Sequence, residues 1–187
     1  MAEIYRATAL KQTLIVGMTP KGQWYPPPHS PDDQAEALAG MSGAVGMVDD
    51  VLKRLRRAFG IKREQVVLAG FSAGGVVALE SMIQTPYPFA AVVCHSGVVL
   101  EPRRIPPCGH STKVVLTHSK DDKLFKWEKR YLPSKRALID QGYHLALIEH
   151  ESGGHCIFKD DMVYIANLLA MILGYPSGWR HPMTDLL

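Results

Sequence analysis

Gly70-Phe71-Ser72-Ala73-Gly74 sets a serine between two glycines, directly after the apolar run Val66-Val67-Leu68-Ala69 and directly before a helical pattern running from Ala73 to Ile83. A short run with β-branched residues suits a buried parallel strand, so a very tight turn has to join strand to helix. A side chain inside such a turn would strike the neighbouring strand or helix, and Gly70, Gly74 and Gly75 remove that obstacle. The turn holds the Ser72 hydroxyl clear of the sheet. Behind it, the amino end of the helix presents backbone N–H groups, Ala73 first, to a developing oxyanion. Ser72 is the candidate nucleophile; the bland alternative is a glycine-lined turn with an idle serine.

A serine nucleophile needs a base, and the base needs a group to orient it. Downstream, Lys113-Val114-Val115-Leu116-Thr117-His118 reads as a second buried strand followed by the polar run Ser119-Lys120-Asp121-Asp122. An acid just past a strand end lies on the same sheet edge as Ser72, and from the residues alone Asp121 and Asp122 both qualify. The stretch 143–149 reads as a last strand, and Ser152-Gly153-Gly154-His155 follows it. Of eight histidines, His29, His110 and His181 fall in Pro-rich or terminal segments. His95 and His118 stand at strand ends and read as local hydrogen-bonding residues. His150 is the competitor, and the glycine-flanked position favours His155 as the base.

Taken together, Gly-Phe-Ser-Ala-Gly-Gly, His118-Ser119-Lys120-Asp121-Asp122 and Gly-Gly-His155 resemble the carboxylesterase, lysophospholipase and acyl-protein thioesterase branch of the α/β hydrolases, over about residues 14–173. In that branch the strand before the acid ends His-Gly-x-x-Asp with the last Asp catalytic. The resemblance therefore implies Asp122 as the acid, with Ser119 in place of Gly. His95-Ser96-Gly97 is similar to the branch's Leu-Ser-Gly segment, which implies that Ser96 lines the site. The fold implied is an α/β-hydrolase-like three-layer sandwich with a mostly parallel central sheet. The activity implied is two-step acyl transfer on a small-molecule carboxylic ester or thioester, with no metal and no organic cofactor.

The chain departs from this pattern in one respect. The His-Gly-x-Gly-like stretch that supplies half of the oxyanion hole is absent, and the sequence opens about where the following strand, Leu14-Ile15-Val16-Gly17-Met18, would lie. The expectation is a shortened sheet and a slow enzyme. Gly22 and Gln23, on the segment leaving the same sheet edge, are candidates for the missing N–H donor. Trp24, Tyr25 and Phe71 are expected to line the substrate site with Ser96. The competing reading is a hydrolase-like binding protein with little turnover; a third is a hydrolase of lactones or carbohydrate esters.

The chain's 187 residues suit a single domain over 1–187, and 47% hydrophobic with 21% charged residues is ordinary for a globular chain. No apolar run approaches the roughly 20 residues of a membrane helix, and the start lacks a secretory signal pattern. Three cysteines, Cys94, Cys108 and Cys156, have no metal spacing and read as free thiols of a cytoplasmic protein. The net charge of +3 invites a nucleic-acid reading. Lys53, Arg54, Arg56 and Arg57 are instead the solvated face of a helix whose apolar stripe is Val45, Val48, Leu52, Leu55 and Phe59, and no nucleic-acid partner is expected.

The pattern predicts strands at 13–18, 65–70, 89–95, 113–118 and 143–149, and helices at 43–59, 73–85, within 124–141 and at 157–173. That alternation implies a parallel sheet between helices. Gly60, Gly142 and Gly174 stand at helix ends. Pro133 either kinks the helix within 124–141 or starts a second one. Residues 19–42 form a long proline-rich connection, and an exposed edge of the shortened sheet invites a homodimer.

Overall fold

A computed structural model describes residues 14, 16–26, 34–109 and 111–174. The chain divides into two compact units, Pro20–Cys156 and Met1–Thr19 with Ile157–Leu187.

The larger unit is an α/β structure built on four parallel strands, β1 (Val67–Phe71), β2 (Ala91–His95), β3 (Lys113–Ser119) and β4 (His144–His150), side by side in that order. The register pairs Phe71 with His95, His95 with Thr117 and Ser119 with His150, so β1 and β2 end level with Thr117 while β3 and β4 run on to Ser119 and His150. β2 is buried along its whole length, as its Val-rich sequence requires, with β1 and β3 on its two sides. Helix α1 spans Gln34–Phe59 and α2 spans Ala73–Ile83; α1 packs on α2, and α2 packs on β1 and β2. Helix α3 (Leu132–Asp140) continues a π-helical turn, Trp127–Tyr131. Pro133 thus sits at the start of α3, directly behind the π-helical turn, and does not break the helical run.

Two expectations need correction. Residues 14 and 16–18 form no strand, with Leu14 55% and Val16 45% exposed; Thr13 and Ile15 lie outside the described residues. β-propensity becomes a strand only where the backbone finds a partner ladder. The second correction concerns α1, which begins at Gln34 rather than 43. Its buried stripe is Ala37, Met41, Ala44, Val48 and Leu52, while Phe59 is 66% exposed. Gly40, Gly43 and Gly46 each cost the helix about 1 kcal/mol of propensity, so burial of the stripe sustains the first half. Gly40 also has a packing reason: a Cβ there would come 2.5 Å from Pro26 Cδ.

In the second unit, helix α4 (Lys159–Ile172) buries Met162, Ile165, Ala166 and Leu169 along one face. Among the described residues no helix is long and apolar enough to cross a membrane.

Candidate active site

The elbow is set by backbone crowding. Ser72 has φ 54° and ψ −123°, a conformation that L residues rarely adopt. Its N–H donates to His95 O at 2.8 Å, and its carbonyl accepts Val76 N at 3.0 Å, which ties the turn to β2 and to α2. A Cβ on Gly70 would lie 2.1 Å from Gly74 O, and one on Gly75 would lie 2.8 Å from Cys94 Sγ. Gly97, on the loop after β2, is equally confined: a Cβ there would be 2.6 Å from Cys94 Sγ and 3.1 Å from Ser72 O. Gly74, expected to be confined too, is not; its nearest neighbour would be Trp24 Nε1 at 3.8 Å. Ala73 opens α2, so its N–H has no intrahelical acceptor.

Asp122 and His155 meet directly. His155 Nδ1–H donates to Asp122 Oδ2 at 2.8 Å, and the other carboxylate oxygen accepts the N–H groups of Leu124 at 2.8 Å and Phe125 at 3.0 Å. The carboxylate is fully buried, so these donors replace its water. Nδ1 is thus the nitrogen engaged by the carboxylate, and the buried Nε2 has no hydrogen-bond partner among the described residues. The Phe71 ring lies 4.9 Å from the imidazole and the Phe125 ring 5.7 Å, centroid to centroid. Phe71, expected at the substrate, is thus placed against the base.

Asp121, the alternative acid, has a different occupation. Its carboxylate accepts Gly154 N at 2.7 Å, Gly153 N at 3.2 Å and the Ser119 hydroxyl. The Ser119 hydroxyl foremost, then the two glycine amides, hold the Asp121 carboxyl below its ordinary range. It fastens the loop that carries His155. Ser96 also serves that loop: its Oγ–H donates to Cys156 O at 2.9 Å, while its N–H reaches Thr117 O at 2.8 Å. Neither contact is visible in the sequence, where only the free amides of a glycine pair hint that the loop needs an acceptor.

Among the remaining candidates, Gly22 (φ 95°) and Gln23 are exposed in the bend that Trp24 and Tyr25 complete. No hydrogen bond joins Gly22 or Gln23 to Ser72 or Ala73 among the described residues. Tyr25 is buried, 6% exposed, and desolvation raises its phenol. It anchors the bend, and Trp24 alone of the two is partly exposed beside the elbow. His95 is fully buried with Nδ1 3.0 Å from Thr117 Oγ1, and desolvation lowers its pKa to about 4. Burial pushes the Cys94 thiol up to about 12.

His118 is also fully buried, 0% exposed. Its Nε2–H donates to Phe125 O at 2.8 Å, and its ring stacks on Tyr131 with centroids 4.4 Å apart. Tyr131 in turn donates its hydroxyl to Glu149 Oε1 at 2.8 Å, which Lys135 also reaches at 2.7 Å.

Residues 5–173 match the phospholipase/carboxylesterase family. Among solved structures, SOBER1 of Arabidopsis thaliana is similar at 20% identity and a TM-score of 0.66, over 81% of this chain and 74% of that one. Esterase PE8 is similar at 27% identity and a TM-score of 0.67, over 80% of this chain and 70% of its own. Acyl-protein thioesterase 2 of Zea mays is similar at 22% identity and a TM-score of 0.60, over 81% and 73%. Among curated proteins no sequence match is found. A tight serine turn at the end of β1, an acid after β3 and a histidine after β4 are what such a hydrolase fold displays on one sheet edge, and the match over residues 5–173 makes this chain a member of the phospholipase/carboxylesterase family of α/β hydrolases.

Proposed function

We propose that the chain is a serine carboxylic-ester hydrolase acting through Ser72, His155 and Asp122 and an acyl-serine intermediate. The observation that carries this reading is the 2.8 Å contact of His155 Nδ1 with the buried Asp122 carboxylate. With Nδ1–H given to Asp122 at 2.8 Å, the buried and partnerless Nε2 is the basic nitrogen. Ser72 Oγ attacks the ester carbonyl as His155 Nε2 takes its proton, and Asp122 stabilises the imidazolium. The oxygen that becomes negative accepts the Ala73 N–H. Collapse of the tetrahedral adduct expels the alcohol or thiol, protonated by His155. Water, deprotonated by the same nitrogen, then releases the acid from Ser72.

We assign the second oxyanion donor to the bend at Gly22 and Gln23, a reading supported by the approach of the next residue, Trp24, to Gly74 of the elbow. An oxyanion hole short of one donor loses about 3–4 kcal/mol of transition-state stabilisation, 10²- to 10³-fold in rate, so turnover is slow while this bend stays exposed. The substrate class is a small or accessible acyl ester or thioester. The test is p-nitrophenol release from acetate, butyrate and octanoate esters by wild type and Ser72→Ala, with intact mass after a fluorophosphonate probe. Turnover and labelling that vanish together in the variant support the reading. Absence of both in wild type overturns it in favour of a binding protein.

A further inference from the structure

We propose that His118 is a positioning residue for the Asp122–His155 pair, closing the acid turn through Phe125 and setting a fixed N–H dipole beside the oxygen that holds His155. Its catalytic consequence rests on the triad reading above; its structural content does not.

The turn after β3 is held from two directions. Asp122 Oδ1 accepts the N–H groups of Leu124 and Phe125, which curls the chain over the carboxylate. Phe125 then returns its carbonyl to His118 Nε2–H at 2.8 Å, seven residues back at the end of β3. Phe125 is therefore hydrogen-bonded both to the acid and to the strand end, and the backbone between His118 and Asp122 closes the turn. Nε2 lies 3.6 Å from Asp122 Oδ2, the same oxygen that accepts His155 Nδ1–H. At that separation there is no hydrogen bond, but the partly positive N–H stands beside a fully buried carboxylate, where bulk water screens it little.

Two features keep His118 a neutral donor. Its Nδ1 is buried with no hydrogen-bond partner among the described residues, so a second proton there would meet no acceptor among them. The flat stack on Tyr131, 12° between planes, fixes the ring plane, and Tyr131 is fixed in turn by Glu149 and the π-helical turn that carries it. The charged or titratable groups facing the imidazole are Asp122 from its own loop, Glu149 from β4 and His155 from the following loop, with Lys135 of α3 neutralising Glu149. A cationic His118 would compete with His155 for Asp122; the neutral tautomer supports the pair instead.

The test uses the full chain in three forms: wild type, His118→Phe and His118→Gln. Phe keeps a ring against Tyr131 and loses the donor; Gln carries an amide N–H near the Nε2 position and loses the ring. Proton NMR reads the His155 Nδ1 proton, which a bond to carboxylate protects from exchange. That proton disappears in His118→Phe and survives in His118→Gln, with kcat falling on the order of 10- to 100-fold in the first and KM changing less than twofold. Retention of the proton in His118→Phe overturns the proposal, as does its loss in a stably folded His118→Gln. Should His118→Phe not fold, the imidazole ¹⁵N spectrum of wild type still decides: an Nε2-protonated neutral ring between about pH 5 and 8 supports the proposal, and a doubly protonated ring near pH 6 overturns it. Absence of turnover in wild type would refute the hydrolase reading while leaving these spectroscopic outcomes intact.

Discussion

Replacing Asp122 by Asn removes a charge without changing shape, and the surroundings dictate how the amide must sit. The N–H groups of Leu124 and Phe125, 2.8 and 3.0 Å from Oδ1, require an acceptor there. Turning the amide so that its NH₂ faced them would leave buried donors unpaired, at about 1–3 kcal/mol each. The amide oxygen therefore stays on the turn, and the NH₂ faces His155. Two donors cannot share that position, so the imidazole moves its proton to Nε2 and keeps Nδ1 as the acceptor. An Nε2–H imidazole cannot take the Ser72 proton. A tautomer switch of this kind costs about 10⁴ in kcat in serine hydrolysis generally, which is about 5 kcal/mol of transition-state stabilisation. The assay is p-nitrophenyl acetate turnover with the fluorophosphonate labelling rate, on protein whose thermal unfolding matches wild type. Turnover within tenfold of wild type would refute the argument. So would a larger loss in Asp121→Asn, because Asp121 touches Ser119, Gly153 and Gly154 rather than the imidazole.

Three further outcomes follow from the same contacts. Gly70→Ala forces a Cβ to 2.1 Å from the Gly74 carbonyl and should lower stability by 3 kcal/mol or more, about the upper end for overpacking, whereas Gly74→Ala meets nothing closer than 3.8 Å and should unfold close to wild type; comparable melting of the two would contradict the elbow geometry. His95, lowered by burial from 6.5 to about 4, is neutral when folded while the unfolded chain binds a proton below 6.5. Stability should rise with pH across that window, by about 3 kcal/mol at most, and urea midpoints for His95→Asn should show a shallower slope there than wild type. Cys94, pushed up to about 12 by full burial, should stay unmodified when native protein meets iodoacetamide at pH 8, with Cys108 and Cys156 reacting first; early loss of the Cys94 thiol by peptide mass mapping would count against the packing under Gly75 and Gly97.

The elements that were legible in the sequence are those whose chemistry is carried by residue type at short range. The Ser72 turn needs small residues within a few positions, and the acid and histidine follow strands whose apolar runs announce them. Gly60, Gly142 and Gly174 indeed follow helices with φ of 69°, 82° and 74°. What stayed hidden depends on partners far along the chain. Ser96 looked like a substrate residue, yet its hydroxyl belongs to a carbonyl 60 residues away. Asp121 and Asp122 could not be told apart by residue type alone, because what distinguishes them, Gly153 and Gly154 against one and His155 against the other, lies far along the chain. The amino half of α1 was illegible for a related reason: three glycines weaken its local signal, and only tertiary burial of Ala37, Met41 and Ala44 restores it.

A common pattern explains how separate loops are held to one geometry. The parallel ladder continues past the strands, one N–H at a time: Ser72 N to His95 O, Ser96 N to Thr117 O and Lys120 N to His150 O, each at 2.8 Å. Each loop thus leaves its strand tied to the end of the next. The loops are then tied to one another, Ser96 Oγ to Cys156 O and Asp121 to Gly153 and Gly154. Ser72 consequently inherits its place relative to Asp122 and His155 from sheet register, while Asp122 and His155 are also joined directly. On that frame the Asp122–His155 bond is formed, and His155 Nε2 has no hydrogen-bond partner among the described residues. The frame also separates two kinds of substitution. A change at Asp122 or His118 removes contacts within the turn after β3, whereas a change at Ser96 or Asp121 removes contacts of the loop that carries His155.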